Sequence, residues 1–289
     1  MRGKRSGPVL LGVLLLAGCA PEPGPEGRGP ADKARRTRVL YLESMPRWEY
    51  RYLHNALVRD ESFEVHCFLL AADPTFAQAH SLNPADPKFG ESLSRPPSTI
   101  EQFLEYDVVI LGDLGPESCP EGTALLLDSF VSGHGRGLVV LSGDRHMPRS
   151  WKGTKIEALL PVEPIADPPD APEESGYHLT DAGKRSPLLA LASDENAILE
   201  LWEDRDQGGD GLKRLQWTVA TRCKPAGQSL VETGPETARL PLFVTAQHGK
   251  GRVFFSATDE TWRWRYRTGD DPYFLPFWRG VIEWAGRDK

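Results

Sequence analysis

The stretches DVVILG (residues 107–112) and LVVLSG (residues 138–143) are the strongest indicators of the fold class of this 289-residue chain. Each is a short apolar run that ends in glycine, which is typical of a strand buried on both faces of a sheet. Two similar runs precede them, RVLYL (38–42) and FEVHCFLL (63–70). Helical spacing of apolar residues over 46–57, and a helix start at Pro120 that continues through Val131, separate these strands. This alternation predicts an α/β fold with a mostly parallel sheet and helices on both faces.

The second half of the chain is predicted to extend the same sheet with antiparallel strands. Strand-like runs cover 215–221, 228–232, 240–247 and 252–257. Residues 248–251, HGKG, predict a hairpin turn between the last two runs, because glycine permits positive φ. Asp271 and Pro272 suit the N-cap and first position of a closing helix that runs through Trp284. We interpret this half as an antiparallel C-terminal extension and not as a separate domain.

The first 36 residues carry export signals. Arg2, Lys4 and Arg5 precede a short apolar run, which is too short to span a bilayer. The run ends in LAGC (16–19), which resembles the bacterial lipobox, so we expect a lipoprotein signal peptide over 1–18 and a lipidated Cys19. The alternative is an ordinary signal peptide with a chance cysteine. Residues 19–36 are rich in proline, glycine and charge, which predicts a disordered tether before a folded domain over 37–289.

Composition limits the partners of that domain. The chain has a formal net charge of −7, so bulk charge will not attract nucleic acid or anionic lipid. No later apolar stretch is long enough for a membrane helix. Three cysteines remain besides Cys19 and show no zinc-site spacing. We therefore expect the domain to lie at the cell envelope, facing the periplasm or exterior, and to contact the membrane only through its lipid anchor.

Four segments resemble the class I glutamine amidotransferase-like family, in particular its branch found in exported and membrane proteins of planctomycetes and related bacteria. They are RVLYLESMPRWEYRYL (38–53), YDVVILGDL (106–114), GRGLVVLSGD (135–144) and PLFVTAQHGKGRVFFSATDETWRWRY (241–266). The resemblance covers roughly residues 38–286, and RWEYR (47–51) and DETWRW (259–264) are its most specific pieces. It implies a flavodoxin-like sandwich.

The chain departs from that family at the position of the nucleophile. Catalytic relatives place a cysteine on a tight strand-to-helix turn with a distant histidine as base. The matching turn here contains Ser142 and no cysteine, and no G-x-S-x-G surrounds that serine. Cys119 is separated from its strand by several residues, and His248 lies in a hairpin turn. We therefore expect glutamine hydrolysis to be absent, with no catalytic residue and no cofactor.

Charged residues follow each predicted parallel strand, where open α/β sheets collect ligands. The candidate ligand-binding residues at these strand ends are Glu43, Arg47, Asp113, Ser142, Asp144, Arg145, Asp259, Glu260 and Arg263. They could line a crevice for a polar ligand. Alternatively, the acids cap helices and pair with the arginines in a structural network. The arginine content argues against a metal site.

The segment TWRWRYR (261–267) alternates aromatic and arginine residues. If it is extended, Trp262 and Trp264 face one way and the guanidiniums the other, which would suit sugar stacking or an arginine–aromatic ladder. The alternative is packing of these rings against Trp48, Tyr50 and Tyr52. Three hypotheses follow: a non-catalytic domain that binds an envelope protein or small polar ligand, an envelope hydrolase that uses strand-end carboxylates, and a carbohydrate-binding module.

Overall fold

The computed structural model describes residues 35–166, 176–203, 211–266 and 271–286. The chain divides into two units, residues 1–35 and 36–289. The predicted signal peptide, Cys19 and nearly all of the predicted tether lie outside the described residues. Within the described ranges, no helix has the length and apolarity needed to cross a membrane.

The described part of the chain contains ten strands and seven α-helices. The strands are β1 (Thr37–Glu43), β2 (Phe63–Leu69), β3 (Val108–Leu111), β4 (Gly137–Leu141), β5 (Val162–Pro164), β6 (His178–Leu179), β7 (Thr221–Cys223), β8 (Gly227–Thr233), β9 (Leu240–His248) and β10 (Gly251–Ser256). The helices are α1 (Trp48–Leu57), α2 (Ile100–Phe103), α3 (Thr123–Asp128), α4 (Lys155–Leu159), α5 (Asp181–Lys184), α6 (Glu195–Glu203) and α7 (Phe274–Gly286). A π-helical turn (Ser129–Gly133) extends α3, and a 3-10 helix covers Thr261–Tyr266.

Eight strands form one sheet in the order β2-β1-β3-β4-β10-β9-β8-β6. The first five are parallel, and β9, β8 and β6 are each antiparallel to their neighbour. A small second sheet pairs β5 with β7. The predicted α/β fold with a mostly parallel sheet is confirmed, and the order of its parallel half matches the flavodoxin-like order 2-1-3-4-5.

Apolar packing on both faces explains why the central strands read as continuous hydrophobic runs. All residues of β3 and β4 are buried. Helix α7 packs across β3, β4 and β10. Its Phe277 lies 6.1 Å from Phe254 of β10 and 5.1 Å from Phe243 of β9, measured between ring centroids. The antiparallel extension therefore shares one core with the parallel half.

Two predicted strands differ in the structure. Strand β10 is parallel to β4, because the hairpin at His248–Gly251 reverses the antiparallel β9 into the direction of the main sheet. The strand predicted over 215–221 is wrong, since only Thr221–Cys223 is extended and pairs with β5. Upstream of it, Val219 donates its N–H to the carbonyl of Ala257, and Trp217 donates its N–H to the Glu260 carboxylate, so loop contacts replace strand pairing.

The helix boundaries also shift at two places. The helix predicted from Pro120 begins only at Thr123, after Gly122 in the left-handed region at φ 82°. The closing helix begins at Phe274, while the carboxylate of Asp271 accepts the N–H of Leu275 at 3.2 Å. Asp271 therefore caps a free N–H group in the first turn of α7, although it lies three residues before the first residue of the helix.

Candidate functional site

The strand order places a topological switch point between β1 and β3, which is where flavodoxin-like sheets hold ligands. Glu43 is the last residue of β1, and Asp113 follows β3 by two positions. Both side chains are buried at this edge. The two predicted strand-end acids therefore do meet where the fold would place a ligand.

Glu43 fills its part of the crevice. Its Oε1 accepts the backbone N–H groups of Ser44 at 2.9 Å and Asp113 at 3.1 Å, and its Oε2 accepts from Arg47 at 2.8 Å. A Cβ on Gly112 would lie only 2.0 Å from Oε2, so glycine leaves the room for this carboxylate. Burial raises the pKa of Glu43, and the charge of Arg47 opposes that rise.

Asp113 organises the turn that follows β4. Its Oδ1 accepts the N–H groups of His146 at 2.9 Å and Met147 at 2.6 Å, and its Oδ2 accepts the N–H of Arg145 at 3.1 Å. A Cβ on Gly143 would lie 2.1 Å from Asp113 Cγ, so the turn closes directly over this carboxylate. Asp113 is thus committed to backbone donors of its own chain.

Arg47 joins the strand ends to each other. Its guanidinium donates to the carboxylates of Glu43 and Asp259, both at 2.8 Å, and to the carbonyl of Ser142 at 2.8 Å. These opposite charges raise the pKa of Arg47 although burial acts against them. Burial raises the pKa of Asp259, and Arg47 counteracts it. The pairing alternative formulated from the sequence is therefore observed at this arginine.

The side chains of the remaining strand-end candidates form no hydrogen bond with Arg47. Asp144 and Arg145 are exposed. Arg263 donates to the side-chain oxygen of Gln216 at 2.7 Å and lies 3.8 Å from Glu260. Glu260 itself accepts the N–H of Trp217 at 2.9 Å, so these residues fix the loop before β7.

No cysteine lies on the turn after β4. Cys67, Cys119 and Cys223 are all free thiols, the second following a 3-10 turn and the third ending β7. Burial raises the pKa of each, which disfavours the thiolate that nucleophilic attack requires. Ser142 occupies the turn instead, but it is fully buried and donates its hydroxyl to the carbonyl of Ser256 at 2.7 Å.

Glu49 belongs to this region and was missed in the sequence analysis. It is fully buried, accepts the Thr261 hydroxyl at 2.5 Å and the N–H of Trp262 at 3.1 Å, and burial raises its pKa to about 7. A signal was available, because Glu49 lies four residues before the buried Leu53 and so shares its face of α1.

Residues 261–266 are not extended, so the condition for the sugar-stacking alternative is not met there. Thr261–Tyr266 is a 3-10 helix, and Arg267 lies outside the described residues. Trp264 is buried and donates its indole N–H to the Tyr177 hydroxyl at 2.9 Å. Trp262 stacks on Tyr52 with ring centroids 5.8 Å apart and planes 4° apart, and it lies 5.8 Å from the ring of Trp48. The packing alternative therefore describes Trp262, whereas Trp264 packs against Tyr177 and Trp202 and not against the rings of α1.

Within the described residues, no three His, Cys, Asp or Glu side chains are grouped so as to hold a metal ion. The absence of a metal or cofactor stays a prediction.

Comparison with known proteins identifies the fold only. No family model matches the chain, and no curated protein matches it. The cytoplasmic protein STM3548 from Salmonella typhimurium matches with a TM-score of 0.57 and 12% identity, covering 86% of this chain and 98% of that one. The cytoplasmic protein STM1381 from Salmonella typhimurium LT2 matches with a TM-score of 0.54 and 15% identity, covering 86% and 99%.

A β-galactosidase from Bacillus circulans sp. alkalophilus is more distant, with a TM-score of 0.42 and 12% identity over 86% of this chain and 30% of that enzyme. That similarity is too low to carry an argument about activity.

The strand order and the two Salmonella structures agree on the fold: the chain is an α/β sandwich protein with a mostly parallel sheet. Its resemblance to the glutamine amidotransferase-like family stays a prediction.

Proposed function

We propose that this chain is an envelope-anchored lipoprotein whose α/β domain binds a protein partner or a small polar ligand and does not catalyse a reaction. One observation carries the proposal: the crevice at the switch point between β1 and β3 is filled by Glu43 and Asp113. In folds of this order, the same crevice receives the ligand.

The bonding of these two acids argues against acid–base chemistry. A general base must lie within hydrogen-bond reach of the proton that it removes from a substrate. Both oxygens of Glu43 and both oxygens of Asp113 already accept hydrogen bonds from their own chain, and neither side chain is exposed. A hydrolase that used these carboxylates would have to break this network before substrate could enter.

The side chains that could act as a nucleophile are also poorly suited to attack. Ser142 donates its hydroxyl to a strand carbonyl and has no exposed surface. The thiols of Cys119 and Cys223 lie outside this turn, and burial raises their pKa, which disfavours the thiolate form. The amidotransferase chemistry that the sequence resemblance implies therefore lacks a reactive group at its expected turn. Binding is the function that such a domain can retain, and the lipobox-like LAGC before it supports an envelope location for that binding.

An assay for turnover tests the proposal directly. Purified mature protein is incubated with glutamine, and separately with chromogenic esters and glycosides, alongside the Ser142→Ala and Asp113→Asn variants. We expect all three proteins to match the buffer blank. Turnover by the wild type that either variant abolishes would overturn the non-catalytic assignment.

A further inference from the structure

A groove lies on the outer side of α1, away from the strand-end crevice. Its open volume is about 430 Å³, and it is lined by Trp48, Arg51, Tyr52, Asn55, Arg59 and Arg265. This volume lies in the range of ligand sites, about 300–1,000 Å³. Trp48 and Tyr52 pack against Trp262, and the proposed function does not use the arginines.

Helical spacing builds the groove. Arg51 and Asn55 lie four residues apart on α1, and Arg59 continues the same row just beyond the helix end. Trp48 and Tyr52 form a second row with the same spacing, beside the first. The 3-10 helix Thr261–Tyr266 then brings Arg265 against the aromatic row.

The groove is cationic, although the protein as a whole carries a net charge of −7. Three guanidiniums line it, and none of its lining residues is acidic. Arg265 lies 3.5 Å from Asp271. No carboxylate in the described part of the chain forms a salt bridge with Arg51 or Arg59. Two positive charges on this surface are therefore available to an anionic partner.

Aromatic rings hold the guanidiniums of Arg51 and Arg265 in place. The guanidinium carbon of Arg51 lies 5.4 Å from the ring centroid of Trp48, and that of Arg265 lies 5.1 Å from the ring centroid of Tyr52. Trp262 also stacks on Tyr52. A guanidinium that is already ordered on a ring loses less freedom on binding, so this arrangement is preorganised. Trp48 remains 53% exposed and offers apolar surface beside these charges.

We propose that this groove docks an acidic, carboxylate-rich segment of a partner protein; the inference rests on the proposed binding function and names its site. Carboxylates are the partners that guanidiniums bind through paired hydrogen bonds. An open groove would leave much of a small ligand exposed, whereas small-molecule pockets bury about 70–90% of their ligand. Tryptophan, tyrosine and arginine are also the residues that dominate binding energy at protein interfaces.

Binding of fluorescent poly-L-glutamate to the full mature protein tests this site. We expect saturable binding that weakens as salt rises. The Arg51→Gln plus Arg59→Gln variant should bind about tenfold more weakly, since two exposed ion pairs are lost. The matched control is Arg149→Gln plus Lys152→Gln, which removes the same charge from exposed positions outside the groove. Its affinity should stay near that of the wild type, and thermal unfolding confirms that both variants fold.

Three results would overturn the inference. Equal weakening in both double variants would show that bulk charge alone attracts the polymer. Tighter binding of heparin than of poly-L-glutamate would assign the groove to sulfated glycans. Self-association of the wild type, abolished only by Arg51→Gln plus Arg59→Gln, would assign it to a second copy of this chain. None of these results involves glutamine or ester turnover. A failed prediction for the groove can therefore be distinguished from a failed prediction that the domain is non-catalytic.

Discussion

The guanidinium of Arg47 lies 2.8 Å from the carboxylate of Asp259, a residue 212 positions further along the chain. The same guanidinium reaches Glu43 at the end of β1 and the carbonyl of Ser142 after β4. One side chain thus connects the carboxyl ends of β1, β4 and β10. The strand ends that could have formed an open site are held together instead.

Replacement of Arg47 is expected to destabilise the fold strongly. Arg47→Met leaves Glu43 buried without its counter-charge, which costs about 3–5 kcal/mol of unfolding free energy. Adding Glu43→Gln should recover part of this loss, because the uncompensated charge is removed. Arg145→Met, at an exposed position, should change stability by less than about 0.5 kcal/mol. Urea unfolding measures all four proteins, and similar values for Arg47→Met and Arg145→Met would contradict the structural role.

Glu49 makes stability depend on pH. Its pKa rises from 4.5 to about 7 on folding, so the folded protein holds a proton that the unfolded chain releases in that interval. Stability should therefore fall by roughly 3 kcal/mol between pH 4.5 and 7 and level off above it. Glu49→Gln should lack this component. Urea unfolding at pH 5 and pH 8 gives the change in unfolding free energy for the wild type and for Glu49→Gln. The contributions of the other acids cancel when the two changes are subtracted. Equal changes in the two proteins would contradict this role of Glu49.

Gly112 is expected to resist substitution because of Glu43. A Cβ at this position would lie 2.0 Å from the carboxylate oxygen, so Gly112→Ala must displace it, at a cost of about 1–3 kcal/mol. The control is Gly280→Ala in α7, where a Cβ would meet nothing within 4 Å. That change should stabilise by about 0.5–1 kcal/mol, since alanine favours helix. Thermal unfolding compares the pair, and equal midpoints would argue against a filled crevice.

Membrane anchoring is expected to require Cys19. Each buried methylene of an attached acyl chain contributes about 0.8 kcal/mol to membrane binding, and Cys19→Ala removes the attachment point. We expect this variant in the soluble fraction after cell lysis, whereas Cys119→Ala should sediment with membranes like the wild type. Membrane retention of Cys19→Ala would contradict the lipoprotein prediction.

Part of the candidate site was predictable from position alone. Glu43, Asp113 and Asp259 follow strands that the sequence identifies, and parallel strands bring their carboxyl ends to one edge. The exposure of the individual strand-end acids was not predictable from the sequence. Asp144 faces solvent, while Asp113, close to it at the same edge, is buried by backbone donors from the turn after β4. That difference depends on how two loops close over each other.

The conformation of residues 261–266 was likewise decided by a distant residue. Their alternating pattern fits an extended strand, yet the Glu49 carboxylate accepts the Thr261 hydroxyl and the N–H of Trp262 and so caps a 3-10 helix. No local pattern records a bond across 212 positions.

The strands of the parallel half, the hairpin at 248–251 and the class of fold could be predicted from the amino-acid sequence, because apolar runs and turn glycines act over a few residues. Three features could be read only from the folded chain: β10 joins the parallel strands, Arg47 closes the strand ends, and the arginines beside α1 form a groove. These depend on contacts between segments far apart in the chain, whose geometry exists only after the core has packed.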